Sequence, residues 1–206
     1  MNTPAPDDLS RLRAIAEEGR EAPLLGGTHL VMWGCLVALA AALHWGVASR
    51  LLEWPAWSLA VIWFGLMGLG GVLSSVLGRG IDCAPAAPTI GNRVERTVWI
   101  TTGAVFATIA IALFVYGNIE QTEAAFAYYA MMPPITFGAY AVALNTSAVA
   151  GAARRLVPFA VLSLALAAVT VLMIGDPAQY LVVAAGALLV SVVPGFLQLR
   201  AEKAGD

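Results

Sequence analysis

Six apolar stretches separated by short polar segments dominate this sequence. Each is about 20 residues long, and at about 1.5 Å of rise per residue such a helix crosses the roughly 30 Å hydrocarbon core of a bilayer. None of them contains an internal Asp, Glu, Lys or Arg. They span residues 28–49, 54–77, 97–116, 124–149, 156–174 and 179–199. This pattern predicts an all-α membrane protein with six transmembrane helices in antiparallel hairpins.

The composition supports the same class. Hydrophobic residues make up 60% of the 206 residues and charged residues only 12%, and the mean hydropathy is +0.80. A water-soluble domain carries roughly 25% charged residues on average. We therefore expect the lipid bilayer to be the main solvent of this chain, and we expect no nucleic-acid partner.

The basic residues lie almost entirely in alternate polar segments. Ten of the eleven Lys and Arg residues fall on one side of the predicted membrane, and Arg50 alone falls on the other. Because short loops rich in Lys and Arg stay in the cytoplasm, both termini are predicted to be cytoplasmic. The abundance of alanine and scarcity of lysine favour a bacterial origin and hence the inner (plasma) membrane. The ten residues are Arg11, Arg13, Arg20, Arg79, Arg93, Arg96, Arg154, Arg155, Arg200 and Lys203.

Residues 1–27 are predicted to form a cytoplasmic segment with a short amphipathic helix over residues 7–20. Leu9, Leu12 and Ile15 recur there at helical spacing, and five acidic residues outnumber three arginines. This acidic excess disfavours an anchor to anionic lipid and favours a cytoplasmic protein partner or the basic loops of the same molecule. A solvated helix without a partner is the alternative.

The other polar segments divide the rest of the chain. Residues 28–199 are predicted to form the six-helix transmembrane domain, and residues 200–206 a cytoplasmic tail. Residues 78–95 contain several prolines and glycines and are predicted to form an irregular loop. The run AEEGREAPLLGG, at residues 16–27, is predicted to end a helix and turn into the membrane, and it identifies no chemistry.

Two adjacent prolines, Pro133 and Pro134, lie in the middle of the fourth stretch. Neither donates a backbone hydrogen bond, so the carbonyls of Tyr129 and Ala130 lose their helical partners and the helix is predicted to kink or break. In hydrocarbon a freed carbonyl is tolerated only where neighbouring helices, hydroxyls or water satisfy it. We therefore expect this position to face protein or a wet cavity.

Polar side chains form a stripe on the fourth stretch and a second stripe on the third. At about 100° per residue each set falls within about 40° of one direction, so the two stripes are predicted to face each other across a polar seam. The seam is interpreted as interhelical hydrogen bonding or, alternatively, as a pathway for a small solute. Its predicted members are Thr97, Thr101, Thr108, Tyr129, Pro133, Pro134, Thr136, Tyr140 and Ser147.

Small residues recur every four positions on the second and third stretches. Gly70, Ser74 and Gly78, and likewise Gly103 and Ala107, have the spacing that lets helix backbones approach closely. This spacing predicts tight packing inside the monomer or between copies in a homo-oligomer.

No nucleophile with a base, metal-ligand cluster or nucleotide loop is present in the sequence, so we predict no catalytic residue, no cofactor and no metal. The leading hypothesis is a non-enzymatic interaction or regulatory subunit in the membrane, with a membrane-protein partner or a cytoplasmic partner at the N-terminal helix. The alternative is a small-solute channel or transporter that uses the seam between helices three and four.

Overall fold

A computed structural model describes residues 10, 22–84, 86–120 and 128–205 of the chain. Within these residues the regular structure is helical, with no strand. The amphipathic helix predicted over residues 7–20 lies outside the described residues, apart from Ser10. The α-helices are α1 (Gly27–Ala48), α2 (Ser58–Asp82), α3 (Ile90–Glu120), α4 (Met132–Ala150), α5 (Val157–Leu172), α6 (Gln179–Ala187) and α7 (Val193–Gly205). Short 3₁₀ turns precede α4 (Tyr128–Met131) and α5 (Arg154–Leu156), and a π-helical segment (Leu188–Val192) joins α6 to α7.

In the part of the chain that the structure describes, five helical segments are long and apolar enough to cross a membrane, as in a multi-pass membrane protein. They are Gly27–Ala48, Ser58–Ile81, Ile90–Glu120, Arg154–Leu172 and Gln179–Lys203. The fourth predicted stretch is not among them, because α4 begins only at Met132 and carries two prolines and the polar run Asn145, Thr146 and Ser147. The last helix also continues to Gly205, beyond the end predicted at residue 199.

The third helix begins earlier than predicted. Residues 78–95 were expected to be irregular, but α2 continues to Asp82 and α3 starts at Ile90. Thr89 precedes α3, and its hydroxyl lies 3.5 Å from the backbone N–H of Asn92, which is the position of an N-terminal helix cap. The loop prediction was wrong for residues 78–82 and 90–95, which are helical, because the polar residues after Thr89 belong to the first turns of a helix.

The helices pack around α1 and α4. Helix α1 contacts α2 and the whole segment from α6 to α7, whereas α4 contacts α3 and α5. A buried core cluster is drawn from four of these helices and the π-helical segment. Its members are Ala41, Phe137, Leu144, Ala160, Val183 and Val190.

Close helix contacts depend on small residues. A Cβ on Gly27 would lie 2.9 Å from the carbonyl oxygen of Gly195, and a Cβ on Gly195 would lie 2.8 Å from that of Gly27. The two backbones therefore touch, as small residues allow in membranes. On α2, Gly70 packs against the ring of Trp33. A Cβ on Gly78 would meet nothing within 4 Å, so the predicted stripe is only partly used inside the monomer.

We expect Gly195→Ala to destabilise the protein by about 1–3 kcal/mol, because the new methyl group collides with backbone that cannot rotate away. Gly68→Ala is the matched control, since a Cβ at Gly68 meets nothing within 4 Å. It should be neutral or stabilise α2 by up to about 1 kcal/mol. Thermal unfolding of both variants in detergent measures the difference, and equal effects would contradict the tight α1–α7 contact.

Candidate functional site at the N-terminal strap

The segment that leads into α1, residues 22–26, is held against the bundle; we call it the strap. Leu24 is 3% exposed and packs in a small cluster with Ala148 of α4 and Leu156. Gly151 lies beneath the leucine side chain, where any Cβ would collide with it. The strap is therefore anchored to the α4–α5 turn by one buried side chain.

The side-chain amide of Asn92 on α3 makes two hydrogen bonds to the strap backbone, one as an acceptor and one as a donor. Its Oδ1 accepts a hydrogen bond from the N–H of Leu25 at 2.8 Å, and its Nδ2 donates to the carbonyl of Pro23 at 2.9 Å. The same Nδ2 lies 3.1 Å from the carbonyl of Ala86. Asn92 is 7% exposed, so this amide satisfies strap groups in a site largely closed to water.

Glu95, one turn further along α3, completes the contact. Its Oε2 accepts the N–H of Gly26 at 3.1 Å, and its Oε1 accepts a hydrogen bond from Nε2 of Gln198 on α7 at 3.0 Å. Glu95 is 3% exposed and Gln198 is completely buried. A Cβ on Gly26 would lie 2.8 Å from the carboxyl group, so a larger residue here would force the Glu95 side chain to shift. The strap, α3 and α7 therefore meet at one carboxyl group.

The surroundings of Glu95 disfavour the charged form of its carboxyl group. Burial penalises its charged form, and the neighbouring charge that acts on it is the carboxylate of Glu202. Two hydrogen-bond donors and the N-terminal end of α1, which favours negative charge, offset part of this cost. Oε1 of Gln198 accepts no hydrogen bond from the described residues, which leaves one unsatisfied acceptor beside the carboxyl group.

The predicted polar seam is only half present. On α4 and the turn before it, Pro133, Pro134 and Ser147 are buried, and Tyr129, Thr136 and Tyr140 are partly buried. On α3, Thr97, Thr101 and Thr108 are all exposed. The two stripes therefore do not face each other.

The orientation of α3 explains why its threonines do not face α4. Its inward face carries Glu95, Thr102 and Phe106, which lie within about 20° of one direction. The threonine stripe lies about 200–240° away from Glu95 around the helix, on the opposite side. Thr97 satisfies its hydroxyl locally by donating to the carbonyl of Arg93 at 2.8 Å, so it needs no partner on another helix.

Aromatic rings fill the contact between α3 and α4. The ring of Trp99 meets Tyr140 edge-on with centroids 4.9 Å apart, and Phe106 stacks on Tyr140 at 6.5 Å. Near the other end of α3, the hydroxyl of Tyr129 donates to the carbonyl of Leu113 at 3.0 Å. The described part of this interface is thus packed with side chains.

The prolines lie in the first turn of α4, not in the middle of a helix as predicted. A 3₁₀ turn precedes them, and prolines are well tolerated where a helix begins. The expectation that the freed carbonyl faces protein is confirmed for Ala130, whose oxygen accepts a hydrogen bond from Nε2 of Gln179 at 2.9 Å. Gln179 is 1% exposed.

Sequence reasoning missed Asn92, Glu95 and Gln198. The first two were assigned to a loop, and Gln198 was taken as the end of an apolar stretch. One signal was available: Asn92, Glu95 and Thr102 follow helical spacing in phase with Trp99 and Phe106. Among the described residues, no group of three His, Cys, Asp or Glu side chains has an arrangement able to hold a metal ion.

Comparisons with protein-family models, curated proteins and solved structures give no match for this chain.

Proposed function

We propose that this protein is a non-enzymatic interaction or regulatory subunit of the bacterial inner membrane, with six transmembrane helices in antiparallel hairpins and cytoplasmic termini. The order of helix contacts supports the hairpins. On α4 and α5, Phe137 accepts a hydrogen bond from Ser163, while Ala148 packs beside Leu156, as in two helices that run in opposite directions. Helix α4, packed between α3 and α5, supplies the sixth span.

The observation that carries the proposal is the docking of the strap. Asn92 and Glu95 accept both of the strap N–H groups that contact α3, and Gln198 joins the same carboxyl group from α7. A partner that binds the acidic residues before the strap would act on a segment fastened to three parts of the bundle. A displacement of that segment would therefore be transmitted directly to α3 and α7.

The packing between α3 and α4 favours an interaction role over transport. A solute pathway along the predicted seam needs an open polar lining, whereas Trp99 and Phe106 pack against Tyr140 there. The polar side chains that are buried at the strap end instead hold backbone groups of the chain itself. This arrangement suits transmission of a binding event rather than passage of a solute.

Two N-terminal deletions test the proposal. Deletion of residues 1–20 keeps the strap, so the bundle should insert and fold with an unchanged thermal midpoint but should lose its partner in cross-linking and co-purification. Deletion of residues 1–26 also removes the contacts to Asn92 and Glu95 and should lower the midpoint clearly.

The paired design separates structure from interaction. If the shorter deletion fails to accumulate or is as unstable as the longer one, residues 1–20 are a structural element and the docking role is wrong. Full partner recovery after the shorter deletion would equally contradict the proposal. The protein with the exposed change Ser75→Ala is the control for expression and purification, because the Ser75 hydroxyl donates to the carbonyl of Gly71 on its own helix.

A further inference from the structure

A cavity of about 350 Å³ opens beside the strap. Its walls are the strap residues 22–24, the α4–α5 turn over residues 151–155, and Ala201 of α7. This volume falls in the range of about 300–1,000 Å³ that ligand pockets occupy. The cavity is distinct from the Glu95 site, because neither Glu95 nor Gln198 lines it.

The charged side chains among the described residues that line the cavity are both basic. Arg154 and Arg155 are the charged residues among its nine lining residues, and both are exposed. Leu156, which follows them, is completely buried and fixes the backbone from which the two side chains emerge. Guanidinium groups match the geometry of phosphate oxygens and bind them through paired hydrogen bonds.

The backbone of the same turn presents further donors. Ala152 has a positive φ of 49°, which turns the chain sharply before the 3₁₀ segment. The N–H groups of Ala153 and Arg155 donate to no acceptor within the described residues. Helix α5 begins at Val157; the N–H of Val157 donates to Arg154 and Pro158 has no N–H, so this helix end contributes its dipole rather than donors from these two residues. Free amides and a helix N-terminus beside two arginines make a setting that attracts an oxyanion.

We propose that this cavity binds a phosphate group through the side chains of Arg154 and Arg155 and the backbone N–H groups of Ala153 and Arg155. The candidate membrane span that includes α5 begins at Arg154, which places the arginines where hydrocarbon gives way to headgroups. The phosphate is therefore carried by an anionic lipid headgroup or by a soluble phosphate. Basic pockets between membrane helices recognise the same chemistry from either source.

The test uses the full-length protein in three conditions: phosphatidylcholine nanodiscs, nanodiscs that also contain phosphatidylglycerol, and detergent with added inorganic phosphate. The thermal midpoint of unfolding is measured in each condition, and native mass spectrometry measures the lipid that stays bound. The variant Arg154→Gln/Arg155→Gln is compared with Arg79→Gln/Arg93→Gln, which removes the same charge from exposed positions outside the cavity. We expect at least about tenfold weaker binding in the first variant and little change in the second.

The outcomes separate the possible sources. Stabilisation by phosphatidylglycerol alone identifies a lipid site. Stabilisation by inorganic phosphate alone identifies a site for a soluble ligand. Either result supports the proposal if Arg154→Gln/Arg155→Gln abolishes the stabilisation. Equal losses in the two double variants would show diffuse charge attraction and overturn it. Absence of any effect of either ligand on the parent protein would overturn it as well. The midpoint in phosphatidylcholine verifies that each variant is folded.

Discussion

Replacement of Glu95 by alanine is expected to destabilise the bundle by about 2–5 kcal/mol, because it leaves one buried and one partly buried donor without an acceptor. These donors are the N–H of Gly26 and the amide of Gln198. The lost side chain also leaves a cavity where the strap, α3 and α7 meet. Thermal unfolding in detergent, followed by tryptophan fluorescence, measures the loss, and protease cleavage near the strap reports its release.

Glu95→Gln separates hydrogen bonding from charge. The glutamine carbonyl can accept from Gly26. Its amide can donate to Gln198 once the Gln198 amide turns over, so that Oε1, which lacks a partner among the described residues, takes the place of Nε2. Glutamine also removes the repulsion from Glu202. We therefore expect Glu95→Gln to retain most or all of the stability that Glu95→Ala loses.

A second control tests the location of the effect. Glu120 lies at the far end of the same helix and is exposed, so Glu120→Ala should change stability by no more than about 0.5 kcal/mol. If Glu95→Ala is as mild as Glu120→Ala, the strap is not held by the carboxyl group. If Glu95→Gln is as severe as Glu95→Ala, a negative charge is needed at this position and the hydrogen-bond account is wrong.

The apolar stretches were predictable from sequence because length and hydropathy are local properties. Among the described residues, five helical segments overlap predicted stretches and are apolar enough to span a membrane. The start of α3 was not predictable in the same way. Asn92 and Glu95 look like loop residues until the strap satisfies them, and their strap partners lie 67 and 69 positions away in the chain.

The threonine stripe predicted the wrong inward face for α3, and the physical reason is different. Polarity indicates an inward face only where a side chain needs a partner on another helix, and Thr97 finds an acceptor on its own helix. The inward face of α3 is instead set by close packing, with Gly91 against the α4–α5 turn and Trp99 against Tyr140. For the third helix, aromatic residues at helical spacing were the better signal, because the predicted small-residue pair Gly103 and Ala107 is exposed and a Cβ on Gly103 would meet nothing within 4 Å.

At the fourth helix the position of the prolines within the helix was predicted wrongly, but one of their consequences was predictable because a proline lacks a backbone N–H. The 3₁₀ donor to the carbonyl of Ala130 would be residue 133 and the α-helical donor residue 134, and both are proline. Sequence showed that this oxygen needs another partner, and it did not show which one. Gln179, almost fifty positions later, supplies the hydrogen bond.

This arrangement predicts that Gln179 and Pro134 are energetically coupled. Gln179→Leu removes the donor to Ala130 and should cost about 1–3 kcal/mol, since the carbonyl is left unsatisfied inside the bundle. Nε2 of Gln179 also donates to the carbonyl of Thr170. That carbonyl keeps a donor in the variant, because the N–H of Met173 lies 3.3 Å from it. The loss therefore reports mainly on Ala130.

Pro134→Ala restores a backbone N–H four residues after Ala130, where an α-helical hydrogen bond forms. In that background Gln179→Leu should cost at least about 1 kcal/mol less than in the parent, a coupling measurable by a double-mutant cycle. Pro158→Ala is the matched control, because Pro158 lies in the first turn of α5 and is exposed. Its effect should simply add to that of Gln179→Leu. Additivity at Pro134 as well would mean that Gln179 stabilises the bundle by filling space rather than by satisfying the carbonyl that the prolines leave free.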